Sequence, residues 1–166
     1  AAESVAGSFY QTLSTGAEPM SEEFRNLARE GNKFAKVAGM ETAKAVEMLS
    51  GTMTIFNKES DEANQTASQL FKSTSLGQTN LSQLSEALKI SGSTAKAMGL
   101  DFEQTNAMLI QLANAQLKGS EGGTALRQVL TRLRAPNDRA KEALEDLNVQ
   151  LYDMEGNALP ITNILQ

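Results

Sequence analysis

The amino-acid sequence predicts an all-α fold, a compact multi-helix array of αα-hairpins with one small β-hairpin or extended flap near the C-terminus. Ala, Leu, Met, Gln and Glu are abundant while aromatic residues make up 5% of the chain, a composition that favours helices. Apolar residues recur at helical spacing along most of the sequence. Glycines fall between these apolar stripes, at positions where helices are expected to end.

Residues 1–20 are predicted to form a flexible or loosely helical arm, because they are rich in Ala, Ser, Thr and Gly. Val5, Phe9 and Leu13 share one helical face, so the same residues also allow a short helix. The sequence leaves both alternatives open.

Residues 21–75 are predicted to form an N-terminal helical subdomain. Its first helix starts at Ser21, an N-cap followed by two glutamates, and ends near Gly39. A second helix follows Gly39, a third covers about 59–73, and the polar loop 74–79 marks the internal boundary. The residues expected to face inward are Val46, Leu49, Met53 and Phe56 in the second helix and Ala63, Ala67, Leu70 and Phe71 in the third.

Two helices are predicted between this boundary and residue 117. Asn80 is a candidate N-cap for the first, which carries leucines at helical spacing from Leu81 to Leu88. The second helix, over 104–117, contains no charged residue. A helix without charges is usually surrounded by protein, so we expect the central helix of the bundle or a helix at a contact between copies.

The stretch 118–136, KGSEGGTALRQVLTRLRAP, combines a Gly-rich turn, a helix and a terminating proline. Ser120 is a candidate N-cap. Each glycine of the Gly122–Gly123 pair costs about 1 kcal/mol inside a helix, so the pair is expected at a close approach of two backbones or in an irregular first turn. We interpret the stretch as a packing motif, with its apolar stripe formed by Ala125, Leu126, Val129, Leu130 and Leu133.

An internal repeat aligns residues 35–49 with 95–109 at an offset of 60. Each copy suggests a helix that ends on a left-handed glycine, an apolar residue that folds back, and an acidic start to the next helix. This pattern indicates either a true duplication or a generic αα-corner. Downstream, residues 149–160 alternate apolar and polar side chains around a turn, which predicts the β-hairpin or flap, with a helix after Pro160.

Several of these motifs occur together, in order, in one known family. KGSEGGTALR, the following LRAP and NVQLYDMEGNALP, preceded by NLSQLSEALK, resemble the core region of phage tail tape measure proteins. The resemblance covers 76–166 clearly and 20–75 more loosely. Gln116–Leu117 departs from the family's pattern of a small residue and Ile. We therefore expect 76–166 to be the core motif region, one compact unit with 21–75, within a longer chain.

The residues that carry the motif are assigned a structural role, not a catalytic one. They are Gly119, Ser120, Gly122, Gly123, Thr124, Leu126 and Arg127.

The resemblance implies a structural protein of a phage or prophage tail. Members of the family set tail length, fill the tail tube and take part in genome ejection. The implied partners are tube, tip or baseplate proteins, assembly chaperones and further copies of the protein itself, in the virion tail and in the host cytoplasm during assembly. The alternative is a helical protein–protein interaction module of another macromolecular assembly, also without catalysis.

Composition excludes several classes of function. The chain contains no Cys and no His, so disulfides, the usual zinc and haem ligands and the commonest general base are all missing. No cofactor, no metal and no enzymatic activity are expected, and no stretch is apolar enough to span a membrane. The glycines at 119–123 lack the lysine of a phosphate-binding loop. Arg127 and Arg134 are candidates for a transient DNA contact, although a net charge of −5 favours solvated or intrachain pairs.

Overall fold

The computed structural model describes Tyr10, Glu18, Pro19 and residues 21–146, and this part of the chain contains seven α-helices and no strand. The all-α prediction is confirmed there. Most of the predicted arm and the whole predicted hairpin at 149–160 lie outside the described residues. The helices are α1 (Glu22–Ala38), α2 (Thr42–Phe56), α3 (Ala63–Leu76, preceded by a 3-10 turn at Ser60–Glu62), α4 (Leu81–Ala97), α5 (Phe102–Asn114), α6 (Gly119–Arg134) and α7 (Asp138–Asp146).

Side-chain caps set the starts of four helices, α1, α4, α5 and α7. The Ser21 hydroxyl accepts a hydrogen bond from the Phe24 amide at 3.1 Å, as the sequence predicted. Asn80 caps α4 through the Gln83 amide at 2.9 Å, which confirms the second predicted cap. Asp101 caps α5 in the same way. Each cap satisfies an amide that has no partner within its own helix.

The two corners of the sequence repeat have the predicted geometry. Gly39 ends α1 with a φ of 63° and Gly99 follows α4 with a φ of 80°, a left-handed conformation that glycine adopts without strain. The next amide in each copy then donates back to the helix, from Met40 to the Ala35 carbonyl at 3.1 Å and from Leu100 to Ala95 at 3.0 Å.

The structure extends this correspondence to three helices. We call α1–α3 unit 1 and α4–α6 unit 2. Their helices are 17, 15 and 14 residues long in unit 1 and 17, 13 and 16 in unit 2. Asn57 and Gln116, the two residues other than glycine with positive φ in the described part, both follow the second helix of their unit. The similarity therefore covers more than one generic corner.

The hydrophobic core is a single cluster with members from all six helices of the two units. Helix α4 lies at its centre, because it packs against α2, α3, α5 and α6. The uncharged stretch 104–117 does not form the central helix, the first of its two predicted alternatives, since Ala107, Gln111 and Asn114 of α5 remain exposed. Glu103, in the first turn of α5, lies on the same exposed face.

The inward assignment of Phe71 on α3 is wrong, since this side chain is 40% exposed. Val129, in the predicted apolar stripe of α6, is 53% exposed within the described part of the structure. In each case the adjacent residue of the stripe is buried, Leu70 and Leu130, and fixes the rotation of the helix. Helix α3 also runs three residues beyond its predicted end. The division into 21–75 and 76–166 stays a prediction.

One carboxylate is buried between α1 and α3. Glu30 is 6% exposed and accepts hydrogen bonds from Lys33 Nζ at 2.9 Å, Arg29 Nε at 3.1 Å and Asn64 Nδ2 at 2.8 Å. Burial alone would raise the pKa of Glu30, but the hydrogen bonds from Lys33, Asn64 and Arg29 outweigh it, and the pKa lies below its usual value of 4.5. The ionised form therefore ties α3 to α1.

The buried Glu30 carboxylate makes the free energy of unfolding depend on pH in the acid range. Because the pKa of Glu30 is lowered on folding, its contribution is present above the unfolded pKa and is lost as pH falls through the folded value, below 4.5. Urea unfolding between about pH 7 and pH 3 should show Glu30→Gln less stable at neutral pH but less sensitive to acid than the native chain. Glu142→Gln, at an exposed position of α7, is the control and should follow the native curve. Parallel curves for Glu30→Gln and the native chain would contradict this account.

Candidate functional site at the glycine-rich helix contact

Helices α4 and α6 form the most extensive helix–helix contact in the described structure. They run in the same direction, since Gly119 at the start of α6 lies beside Gln83 while Gly123 lies beside Ala87 and Ile90. The connecting helix α5 runs the opposite way. This arrangement places the glycine motif against the first half of α4.

Gly123 is the point of closest approach. A β-carbon at this position would lie 2.7 Å from the Ala87 carbonyl oxygen and 2.8 Å from its Cα. Distances this short are not compatible with any side chain, and a backbone neighbour cannot move aside as a flexible side chain can. The absence of a side chain at Gly123 therefore sets the distance between the two helices.

At Gly119 and Gly122, other neighbours exclude a side chain. Gly119 has a φ of 55°, and a β-carbon there would lie 2.9 Å from a carboxylate oxygen of Glu86. At Gly122 a β-carbon would lie 2.6 Å from the carbonyl oxygen of Leu117, in the turn that precedes the helix. For the Gly122–Gly123 pair, the sequence offered a close approach of two backbones or an irregular first turn. The structure places Gly123 at the close approach and Gly122 in the first turn.

The leucines of α6 continue the contact beyond the glycines. Leu126 is 4% exposed and Leu130 is 1% exposed, both in the same core cluster as Leu109 of α5. Leu133 packs on the edge of this cluster. The buried stripe is thus formed by glycines in the first turns of α6 and by leucines after them.

The remaining residues of the motif lie away from the contact. Lys118 occupies the N-cap position of α6 without a side-chain hydrogen bond, so the prediction of Ser120 as N-cap is wrong. Ser120 lies one residue inside the helix and is exposed, because the chain enters α6 through the left-handed Gly119. Thr124 is half-buried and Arg127 is exposed.

Sequence reasoning did not identify the surface that receives α6. Glu86, Ala87 and Ile90 of α4 form it, and the small side chain of Ala87 lets the Gly123 backbone approach. The signal available in the sequence was Ala87 itself, an alanine within the leucine stripe of α4. The partner of a glycine on another helix cannot be read from spacing alone.

The arrangement holds helices together and offers little for ligand chemistry. Among the described residues, no group of three or more Asp or Glu side chains is placed to hold a metal ion. Every helix in the described range falls short of the length and hydropathy that a transmembrane span requires. The basic residues near the motif, Arg127, Arg132, Arg139 and Lys141 among them, are exposed on α6 and α7.

Comparison with known proteins identifies related sequences. A family described as phage-related minor tail protein matches residues 1–166. The tape measure protein of Pneumococcus phage Dp-1 is 31% identical over 128 residues, which cover 77% of this chain and 11% of that protein. The probable tape measure protein of Escherichia phage P2 is 34% identical over 119 residues, 72% of this chain and 15% of that protein. The chain thus spans a small fraction of either relative, and no solved structure matches it.

The close contact at Gly123 predicts that two Gly→Ala substitutions will differ in their effect on stability. Gly123→Ala should lower the free energy of unfolding by roughly 1–3 kcal/mol, because the new methyl group meets the Ala87 backbone. Gly51→Ala in α2 is the matched control, since a β-carbon there has no neighbour within 4 Å. It should be neutral or stabilise by up to about 1 kcal/mol, as alanine favours helix. Urea unfolding of both variants measures the difference, and equal effects would contradict the close contact.

Proposed function

Because the chain belongs to the phage-related minor tail protein family, we propose that it is a folded segment of a tape measure protein, a structural component of the phage tail. The parent protein sets the length of the tail, occupies the tail tube and leaves it when the genome is ejected. The observation that carries this proposal is the match to two proteins named as tape measure proteins over 77% and 72% of this chain.

The helix lengths suggest what this segment contributes. A ruler needs a long extended element, and one continuous helix of 166 residues would span about 250 Å. The longest helices described here have 17 residues, or about 26 Å each, and successive helices pack against one another. We assign the measurement of length to other parts of the parent protein, and to this segment the role of a folded plug or attachment point.

We also propose partners and a location for this segment. Its partners are other tail proteins of the tube, tip or baseplate, assembly chaperones and further copies of the parent, in the host cytoplasm during assembly and then in the virion tail. No catalysis is assigned to it. Exposed basic residues such as Arg127 supply charge for a transient contact with passing DNA, which the net charge of −5 keeps weak.

The length of assembled tails tests the proposal. An in-frame deletion of about 50 residues elsewhere in the parent should shorten tails by up to roughly 75 Å if the deleted part is helical. Electron microscopy of virions measures this change. Gly123→Ala, which alters this segment without changing the length of the chain, is the control and should leave the length of assembled tails unchanged. Unchanged tails after the deletion would favour an interaction module of another assembly.

Solution scattering tests whether this segment is folded and not extended. Residues 1–166 should have a radius of gyration near 15 Å, the value expected for a globule of this length, against roughly 40 Å in denaturant. The denatured sample provides the internal reference. A maximum dimension beyond about 100 Å for a monodisperse monomer would show an extended chain and contradict the assigned role.

A further inference from the structure

Each unit has an outer groove between its second and third helices. In unit 1 this groove lies between α2 and α3. The following helix α4 packs on both of them, and α5 packs on α3. Four positions represent the groove: Met48 and Thr52 on α2, Thr66 and Leu70 on α3. All four are buried, with exposed fractions of 4%, 3%, 0% and 0%.

The equivalent positions in unit 2 follow from the repeat. Helices α2 and α5 align at the offset of 60 already given. For the third helices, Asn64 contacts Glu30 in unit 1 and Gly123 contacts Ile90 in unit 2, so α3 and α6 align at an offset of 59. The groove positions of unit 2 are therefore Met108, Leu112, Ala125 and Val129.

The groove of unit 2 is apolar but only partly covered by the described residues. Met108, Leu112 and Ala125 are half-buried, and Val129 is 53% exposed where its equivalent Leu70 is fully buried. None of the four side chains carries a charge or a hydrogen-bonding group. This surface lacks the cover that α4 and α5 give to unit 1.

The order of the chain indicates what covers it. The groove of unit 1 is filled by the segment that follows α3, and the segment that follows α6 begins with α7 after a similarly short connection. Asn137 caps α7 through the Ala140 amide at 2.9 Å, as Asn80 caps α4. Helix α7 is mostly charged and exposed, so it does not supply an apolar face like that of α4.

The residues after α7 are apolar enough to cover the groove of unit 2. Residues 147–166 contain two charged residues and nine large apolar ones. The apolar residues are Leu147, Val149, Leu151, Tyr152, Met154, Leu159, Ile161, Ile164 and Leu165. We propose that residues 147–166 pack into the outer groove of unit 2, against Met108, Leu112, Ala125 and Val129. Residues 147–166 belong to the same chain as the groove, so their effective concentration there lies near the millimolar range. This favours the segment over a second copy.

Engineered disulfides test the proposal in the whole chain of residues 1–166, which has no native cysteine. Val129→Cys is combined in turn with Leu151→Cys, Leu159→Cys or Ile164→Cys, and disulfide formation is measured in a glutathione redox buffer. Thr131→Cys is the matched control for Val129→Cys. It is exposed, also β-branched in the native chain, and about 200° around α6 at nearly the same height.

At least one pair with Val129→Cys should form an intramolecular disulfide with an effective concentration roughly tenfold above that of the same pair with Thr131→Cys. Equal values for both anchors, or no intramolecular disulfide from Val129→Cys, would overturn the proposal. Disulfides between chains that form only from Val129→Cys would show that a second copy fills the groove and would also overturn it. Helical circular dichroism of each variant confirms that the units remain folded.

Discussion

The close approach of α6 to α4 at Gly123 determines how the second half of the structure is arranged. Because the α6 backbone meets that of Ala87, the leucines further along α6 reach the core and α5 is held as the connection between two parallel helices. Unit 1 has the same order of helices but places its close approach elsewhere. There, Gly31 of α1 lies against Val46 of α2, and these two helices form the most extensive contact of the unit. One glycine in each unit thus decides which pair of helices lies closest.

Polar groups hold the helix pairs that lack such a glycine. Asn64 occupies in α3 the position that Gly123 has in α6, and its amide reaches across to Glu30. Between α3 and α5, the Asn106 amide donates to the Ser73 hydroxyl, while Thr66 Oγ1 has no partner among the described residues. An unsatisfied buried polar atom costs about 1–3 kcal/mol. Helix α3 therefore depends on the burial of Leu70 and Ala67 to offset this cost, whereas α6 is fixed by backbone contact.

The sequence predicted several features that depend only on neighbouring residues. The caps at Ser21 and Asn80 and the corners at Gly39 and Gly99 were predicted, because capping and left-handed glycine require only a few residues in order. The start of α6 was misassigned at Ser120, since a left-handed Gly119 replaces a hydroxyl cap. The rotation of α3 and α6 and the partner of Gly123 depend on distant helices, which spacing along the chain does not encode. The same limit applies to the uncharged stretch 104–117, whose composition did not show that Gln111 and Asn114 would face the solvent.

The comparison of the two units also bears on the proposed role of this segment as a folded plug or attachment point. Helices that pack side by side lie 8–10 Å apart, so an array of six is several helices wide and far shorter than its chain. A segment of this shape adds thickness where an extended helix adds length. With no cysteine in the chain, no disulfide locks the array, and its persistence depends on apolar burial and on two close glycine contacts. The contact at Gly123 is made between two backbones, so repacking of side chains cannot replace it, whereas Gly31 lies against the Val46 side chain. The glycine motif of α6 therefore fixes the arrangement of unit 2.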